Sequence, residues 1–323
     1  MSSVEISIIM PVYNGAQFIK QTLDSLCPQL TNSVELIVVN DGSQDDTLAV
    51  IERYFSSFIQ AEKLQILSQN NQGVSVARNL GIEHACGNYI GFMDADDLAL
   101  PNYIASLLNA VAQNVDIVEF GFKTFVSSVE EINTKAALYT NNQFGLHTVS
   151  NVIDKVYSTA RWYPWARIFK KHLLQGVRFP LGVRFCEDLM TIPQLYEKAQ
   201  TILVLRDALY GYRTNPNSAT FKVGDNYVEK LVSFYHGIPK SGFIRHDYLR
   251  MSVAFGIISC QTKSNGSWVL PKTIQQDLYK MRWTLSIYRN LETRRILVLL
   301  YPMIYKLLLK INVIFKKPST QRA

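Results

Sequence analysis

Short runs of β-branched and aliphatic residues alternate with helically spaced apolar residues through the first 120 positions, and this rhythm leaves few folds open. The strand-like runs fall at Ile6 to Met10, Glu35 to Asn40, Leu64 to Leu67, Tyr89 to Met93 and Asp116 to Phe120. Between them Phe18, Thr22, Leu23 and Leu26 follow helical spacing, as do Leu48, Ile51 and Phe55, and then Val76, Leu80 and His84. Strands joined by crossover helices build a parallel sheet covered by helices, so the expectation is an α/β unit.

Polar residues cluster where the strands end: Tyr13-Asn14-Gly15, Asp41-Gly42-Ser43 and Asp94-Ala95-Asp96-Asp97. In an open α/β sheet, ligands bind outside the carboxyl ends of the strands, so these clusters mark one candidate edge. Ser43, Gln44 and Asp45 also suit plain turns and helix caps. The Asp94 to Asp97 cluster resists that explanation, because crowded carboxylates repel unless protons or a cation intervene. A hard divalent ion takes such oxygens.

Several chemistries are excluded by motif. A dinucleotide site needs Gly-x-Gly-x-x-Gly after the first strand, whereas Pro11-Val12-Tyr13-Asn14-Gly15 has one glycine. A Walker loop and a Gly-x-Ser-x-Gly elbow are also absent. Four cysteines, at 27, 86, 186 and 260, lie too far apart for a zinc motif, which favours reduced thiols. The segment Met1 to Glu5 has no basic leader region, so no secretory signal is expected.

Charge divides the chain. Its 323 residues carry a formal +7, but residues 1 to 225 hold 17 basic and 22 acidic side chains, while residues 226 to 323 hold 16 basic and 4 acidic. The motif-bearing part is therefore mildly acidic at −5 and the last third is +12. A nucleic-acid enzyme would concentrate basic charge around its active site, so no nucleic-acid partner is expected. The length also exceeds what one core usually organises, and a boundary near residue 225 separates a main domain from a smaller helical region.

Four ordered motifs sharpen this reading: Ser7-Ile8-Ile9-Met10-Pro11-Val12-Tyr13-Asn14, Val39-Asn40-Asp41-Gly42-Ser43 with Asp45-Asp46-Thr47, Asn71-Gln72-Gly73-Val74-Ser75-Val76-Ala77-Arg78-Asn79, and Phe92-Met93-Asp94-Ala95-Asp96-Asp97. Together they closely resemble the inverting family 2 glycosyltransferases of GT-A fold, over about residues 5 to 220. The resemblance implies a GT-A α/β domain over 1–225, with a mostly parallel central sheet, a nucleotide-binding half over about 1–120 and an acceptor-binding half over 121–225. A smaller helical region over 226–323 follows.

The resemblance also implies roles. Pro11, Tyr13, Asp41, Asn71 and Arg78 correspond to the nucleotide pocket, Arg78 near the phosphates. Asp94, Ala95 and Asp96 match the Asp-x-Asp motif, in which Asp96, with Asp94, holds Mn2+ or Mg2+ at the donor diphosphate. Asp97 is expected to cap a helix. Of the later pair Glu187-Asp188, Asp188 corresponds to the base that takes the acceptor proton. Adjacent carboxylates on a strand point apart, so Glu187 is expected on the acceptor side or paired with an arginine such as Arg178 or Arg184. Trp165 and Arg167 fall in a segment that contacts the acceptor, although the aromatics Trp162, Tyr163 and Trp165 equally suit packing beneath it.

The implied activity is non-processive transfer of a hexose or N-acetylhexosamine from a nucleotide sugar, most simply a UDP-sugar, to a glycan or lipid-linked acceptor. Its setting is bacterial surface polysaccharide biosynthesis, such as capsule or lipopolysaccharide. Processive members carry Gln-x-x-Arg-Trp, and the nearest match, Tyr279-Lys280-Met281-Arg282-Trp283, lacks the Gln. A nucleotidyltransferase, which also uses paired aspartates and metal, and an inactive nucleotide-sugar-binding scaffold are the competing readings.

The uncharged run from Ile296 to Tyr305 is ten residues, short of the roughly 18 to 20 that span a bilayer. On a helical wheel Arg295, Lys306, Lys310 and Lys317 fall on one side, opposite Ile, Leu and Phe. Such a helix suits an anionic membrane interface, which predicts a cytoplasmic protein held peripherally at the inner face of the cytoplasmic membrane. Packing on the catalytic domain or on a second copy, giving a homo-oligomer, is the alternative.

Overall fold

A computed structural model of the chain describes residues 4–126, 130–183, 185–214, 226–240, 242–265 and 269–281. The described residues fall into two compact units, one within Met1–Val156 plus Arg161–Val223 and the other within Tyr157–Ala160 plus Gly224–Ala323.

The first unit opens with β1 (Ile6–Val12), α1 (Ile19–Leu26), β2 (Val34–Asn40), α2 (Thr47–Gln60), β3 (Leu64–Ser68), α3 (Val74–His84) and β4 (Tyr89–Phe92). It continues through β5 (Leu98–Ala99), α4 (Tyr103–Val111), β6 (Ile117–Phe125), α5 (Glu130–Thr134), β7 (Gly145–Thr148), α6 (Val149–Thr159), β8 (Arg167–Lys170), α7 (Glu187–Lys198) and β9 (Thr201–Arg213). Among the described residues these strands form one sheet in the order β3-β2-β1-β4-β8-β6-β9-β5, with β7 also on β9. The α/β fold expected from the sequence is the one observed.

The half that carries the motifs is wholly parallel: β3 on β2, β2 on β1 and β1 on β4. β8 then joins antiparallel to both β4 and β6, while β6 and β9 pair parallel. All seven residues of β1 are buried, the mark of a strand covered on both faces. Alternation along β1 sends Ile6, Ile8 and Met10 into a core shared with Leu23 and Leu26 of α1, Ile51 of α2 and Leu107 of α4. Ile9 faces the other way, where Gly81 of α3 lies so close that an added Cβ would sit 2.4 Å from its Cγ2. Each fully buried aliphatic side chain contributes about 1.5–3 kcal/mol.

The second unit contains α8 (Asn226–Gly237), α9 (Ile244–Asn265) and α10 (Lys272–Met281). Leu231 and Tyr235, Tyr248 and Met251, and Ile274 and Leu278 are its buried faces. Arg250 donates to the carbonyls of Ile238 and Pro239 at 3.1 and 2.6 Å and to Asp247 at 2.9 Å. A cation thereby meets the carbonyl-rich end of α8. No helix of the described residues is long and apolar enough to cross a membrane. The basic segment proposed for membrane contact, together with Arg184, Arg282 and Trp283, lies outside the described residues.

Candidate active site

Register brings the strand ends together. Val12 of β1 pairs with Asn40 of β2, Asn40 with Ser68 of β3, and Ile9 of β1 with Phe92 of β4. The loops after all four strands therefore open on one edge of the sheet. They are laced to one another: Asn14 N–H donates to Ser43 Oγ at 3.0 Å, Gln44 N–H to Asn14 Oδ1 at 2.8 Å and Ala16 N–H to Asp45 Oδ2 at 3.0 Å. Ser43 and Asp45 thus tie two loops, and Asp45 also accepts the Thr47 N–H at the start of α2.

Pro11 is buried near the end of β1, whereas Tyr13 is 48% exposed on the loop beyond it and Asn71 is exposed in the loop between β3 and α3. Asp41 is only 3% exposed. Its Oδ1 accepts from Gln69 Nε2 at 2.7 Å and from the Gln72 N–H at 2.8 Å, and its Oδ2 from the Gly73 N–H at 2.8 Å. The carboxylate that the resemblance aims at a nucleoside thus braces the entry to α3, where a helix N-terminus favours negative charge. Two glycines permit this close approach. Gly42, at φ +74°, would place a Cβ 2.8 Å from the Asn71 nitrogen, and Gly73 enters α3 at φ 94°.

After β4, Asp94 is about one-third exposed and Asp96 is half-buried. Burial, then the neighbouring Asp94, pushes the Asp96 carboxyl up to about 6. Asp97 does not cap a helix as the sequence suggested. It is 1% exposed, and its two oxygens accept the Tyr210 hydroxyl at 2.6 Å and the Arg213 N–H at 2.7 Å. Burial, then Asp96 and Asp94, raises its pKa well above the carboxylate range. No other residue among those described donates to the Asp96 carboxylate.

Arg78 joins the two halves of the site. It is 4% exposed on α3, with one terminal nitrogen 2.9 Å from Glu187 Oε1, the other 3.2 Å from Asp94 Oδ1, and its plane 5.2 Å from the Phe179 ring. Burial works against its charge, but Asp94 and Glu187 outweigh it and raise its pKa. The arginine partner of Glu187 is therefore Arg78, 109 positions earlier, and not Arg178, whose guanidinium binds the carbonyls of Leu174 and Val177. Glu187 and Asp188 open α7 instead of lying on a strand. Burial, then Glu187, pushes Asp188 up to about 7, partly opposed by the Leu189 N–H that bonds its Oδ1 at 2.7 Å.

Two expectations for the acceptor side change. Trp165 is 5% exposed and stacks at 4.8 Å on Tyr163, 4.6 Å on Tyr210 and 5.1 Å on Tyr212, so its ring faces are spent on protein. Arg167 has no exposed side-chain surface. Its Nε meets Glu119 at 2.7 Å and the Tyr196 hydroxyl at 2.8 Å, while its terminal nitrogens meet the carbonyls of Tyr163 and Arg161, each at 2.8 Å. Every nitrogen of the guanidinium is engaged inside the domain, which makes Arg167 an internal strut.

Tyr210, Arg213 and Gln69 were not singled out from sequence, and Thr22 only as part of a helical pattern. Gln69 bonds Asp41, and Thr22 Oγ1 donates to the Ala95 carbonyl at 2.8 Å. Only Gln69, three positions before the Gln72-Gly73 step, carried a local hint; the others come from remote parts of the chain.

Asp94 and Asp96 offer carboxylate oxygens of the kind a divalent ion takes. Burial, and then Asp94, raises Asp96, and Mg2+-type sites commonly combine one or two carboxylates with substrate phosphates. Among the described residues no three His, Cys, Asp or Glu side chains converge as an all-protein cage.

Residues 7–165 match the family model described as glycosyl transferase family 2. The glycosyltransferase EpsJ of Bacillus subtilis strain 168 is 31% identical over 254 residues, covering 75% of this chain and 73% of EpsJ. The chain belongs to glycosyltransferase family 2. This family 2 enzyme is also 29% identical over 229 residues to the glycosyltransferase GlyG of Streptococcus pneumoniae serotype 4, across 66% of the chain and 72% of GlyG. In fold it is similar to residues 1–349 of TarS from S. aureus, solved in complex with UDP-GlcNAc, with a TM-score of 0.65 at 18% identity over 96% of this chain and 87% of that one. The matched family segment ends before Arg167, Glu187, Asp188, Tyr210 and Arg213.

Proposed function

We propose that this family 2 glycosyltransferase is an inverting, non-processive enzyme that moves a hexose or N-acetylhexosamine from a UDP-sugar to a hydroxyl of a glycan or lipid-linked acceptor. The pathway we propose is bacterial surface polysaccharide biosynthesis. The observation that carries the reading is the Arg78 bridge. It sets the Asp94 carboxylate and the Glu187-Asp188 pair on either side of one guanidinium, so donor-side and proton-accepting groups share a site. The relatives support the setting: GgaB of Bacillus subtilis, 25% identical over 240 residues, is named for minor teichoic acid biosynthesis, and TarS residues 1–349 were solved in complex with UDP-GlcNAc.

In this mechanism Tyr13 and Asn71, exposed at the strand edge, bind the nucleoside, with Pro11 and Asp41 shaping the pocket behind them. Asp94 and Asp96 would hold Mn2+ or Mg2+, which when bound would neutralise charge on the departing diphosphate. Asp188 removes the acceptor hydroxyl proton as that oxygen attacks the anomeric carbon from the face opposite the diphosphate. The bond from anomeric carbon to phosphate oxygen breaks, and inversion follows from the single displacement. A base with a pKa near 7 is matched to this task at neutral pH. Glu187 keeps Arg78 in place and Arg78 offsets the charge of both pairs.

Incubation with UDP-GlcNAc, UDP-glucose and GDP-mannose, each with Mn2+, tests the reading. The expected result is release of UDP, dependent on Asp96, with an inverted anomeric centre in the product by NMR. Release of pyrophosphate identifies a nucleotidyltransferase instead, and binding without turnover identifies a scaffold.

The +12 charge of residues 226 to 323 supports placing the enzyme at the anionic inner face of the cytoplasmic membrane. Co-sedimentation with vesicles containing anionic lipid should disappear on deleting residues 290 to 323. Retained binding would contradict membrane placement by this segment, and a change of oligomeric state on deletion would point to pairing of two copies.

A further inference from the structure

We infer that the far end of β9 is a clasp that presets the Asp94-Asp96 carboxylates, with Tyr210 and Arg213 as positioning residues; this rests on the proposed role of those aspartates as metal holders. Three carboxylates within four residues repel, and an unsupported turn would swing them apart into solvent. Here each of the four residues is tied. Asp94 N–H donates to the Tyr210 hydroxyl at 3.1 Å, and that hydroxyl donates to Asp97 Oδ2 at 2.6 Å. The Ala95 carbonyl accepts from Thr22 of α1 at 2.8 Å. Arg213 Nε donates to the Asp96 carbonyl at 2.7 Å, and the Arg213 backbone N–H to Asp97 Oδ1 at 2.7 Å.

The clasp is itself held rigidly. Tyr210 is fully buried and stacked on Trp165, which gives that indole a part in the site without touching substrate. The Arg213 guanidinium lies 4.4 Å from the Phe125 ring and 4.8 Å from the Phe18 ring, with a further bond to Gln21 at 2.5 Å. Directly after the turn, β5 pairs Leu98 with Gly211 and Ala99 with Tyr210. The bonds that α1 and β9 make to Asp94, Ala95 and Asp96 all use backbone atoms of the turn, so the Asp96 carboxylate stays available while its direction is set. Preset ligands need no reorganisation when charge arrives, which is how a fixed polar site outperforms water.

The test measures Mn2+ binding to the full chain in the presence of UDP, through loss of the free-ion electron paramagnetic resonance signal. UDP affinity in EDTA and thermal melting are measured on the same samples. Tyr210→Phe keeps the ring in its stack and removes both hydroxyl bonds. Arg213→Lys keeps a cation near the two phenyl rings and removes the guanidinium from the Asp96 carbonyl. Each variant should bind Mn2+ about tenfold more weakly, the effect of one or two hydrogen bonds, with metal-free UDP affinity at the wild-type value. A general loss of structure would weaken both.

Wild-type Mn2+ affinity in a folded variant of either kind overturns the clasp, provided Asp96→Ala abolishes binding in the parent. Parent binding that survives Asp96→Ala overturns the metal assignment and the clasp with it. Failure of both variants to fold overturns the positioning role in favour of a purely structural one.

Discussion

The turn at Asp94-Asp97 and the helix start at Glu187-Asp188 both crowd carboxylates, yet the chain restrains them by different means. Apart from Arg78 on the Asp94 carboxylate, the turn is bound through backbone atoms and a buried Asp97, by groups from α1 and β9. The helix start is held by side-chain electrostatics, one arginine on Glu187 and one amide on Asp188. Protonation is shifted in both cases, Asp96 to about 6 and Asp188 to about 7, but the ties to backbone that set direction belong to the first. A cation-holding group needs fixed direction, whereas a proton acceptor needs a tuned affinity.

The sharpest way to separate the two clusters is to neutralise each. Asp188→Asn should lower turnover by about two to four orders of magnitude, the range for a lost general base, and leave donor binding intact. Asp96→Ala should cost roughly two to three orders and remove metal-dependent UDP binding as well. Equal loss of donor binding in both variants would dissolve the distinction.

Next in size is the contrast between the two buried arginines. Arg167→Leu leaves Glu119 buried and unpaired, so the domain should lose about 3–5 kcal/mol of stability, read by chemical denaturation. The protein that remains folded should keep its donor affinity. Arg78→Lys cannot span Asp94 and Glu187 with a planar fork, and turnover should fall roughly 10- to 100-fold, the effect of one charged hydrogen bond, with a smaller change in stability.

The smallest effect is in pH. Folded Asp188 keeps its proton to about pH 7, but an ordinary aspartate carboxyl only to 3.8, so the folded chain binds more protons between those values. Stability from this group is therefore greatest in acid and declines as pH rises from about 4 to about 7, and melting temperature should fall over that range. Asp188→Asn should flatten the decline. Turnover should run oppositely, rising through about pH 7 as the base ionises.

Much of this molecule was legible in its residues because the relevant physics is local. Strand and helix periods placed β1 to β4 and α1 to α3, and strand-end polar clusters marked the edge where the loops meet. The charge count exposed two regions of opposite sign. Conversely, Arg167 looked like an acceptor contact because nothing near it in sequence shows Glu119 and Tyr196, which lie 48 and 29 positions away. Asp97 looked like a cap because its partners, Tyr210 and Arg213, are more than 110 positions distant.

The sequence alone determined the family, the α/β alternation and the order of the acidic motifs, all encoded in neighbours a few residues apart. Only the tertiary structure decided which charges face each other: that Arg78 meets Glu187, that Arg167 is locked inside, and that β9 grips the acidic turn. Burial and pairing of a charge depend on elements that meet through the sheet, and spacing along the chain carries no record of that meeting.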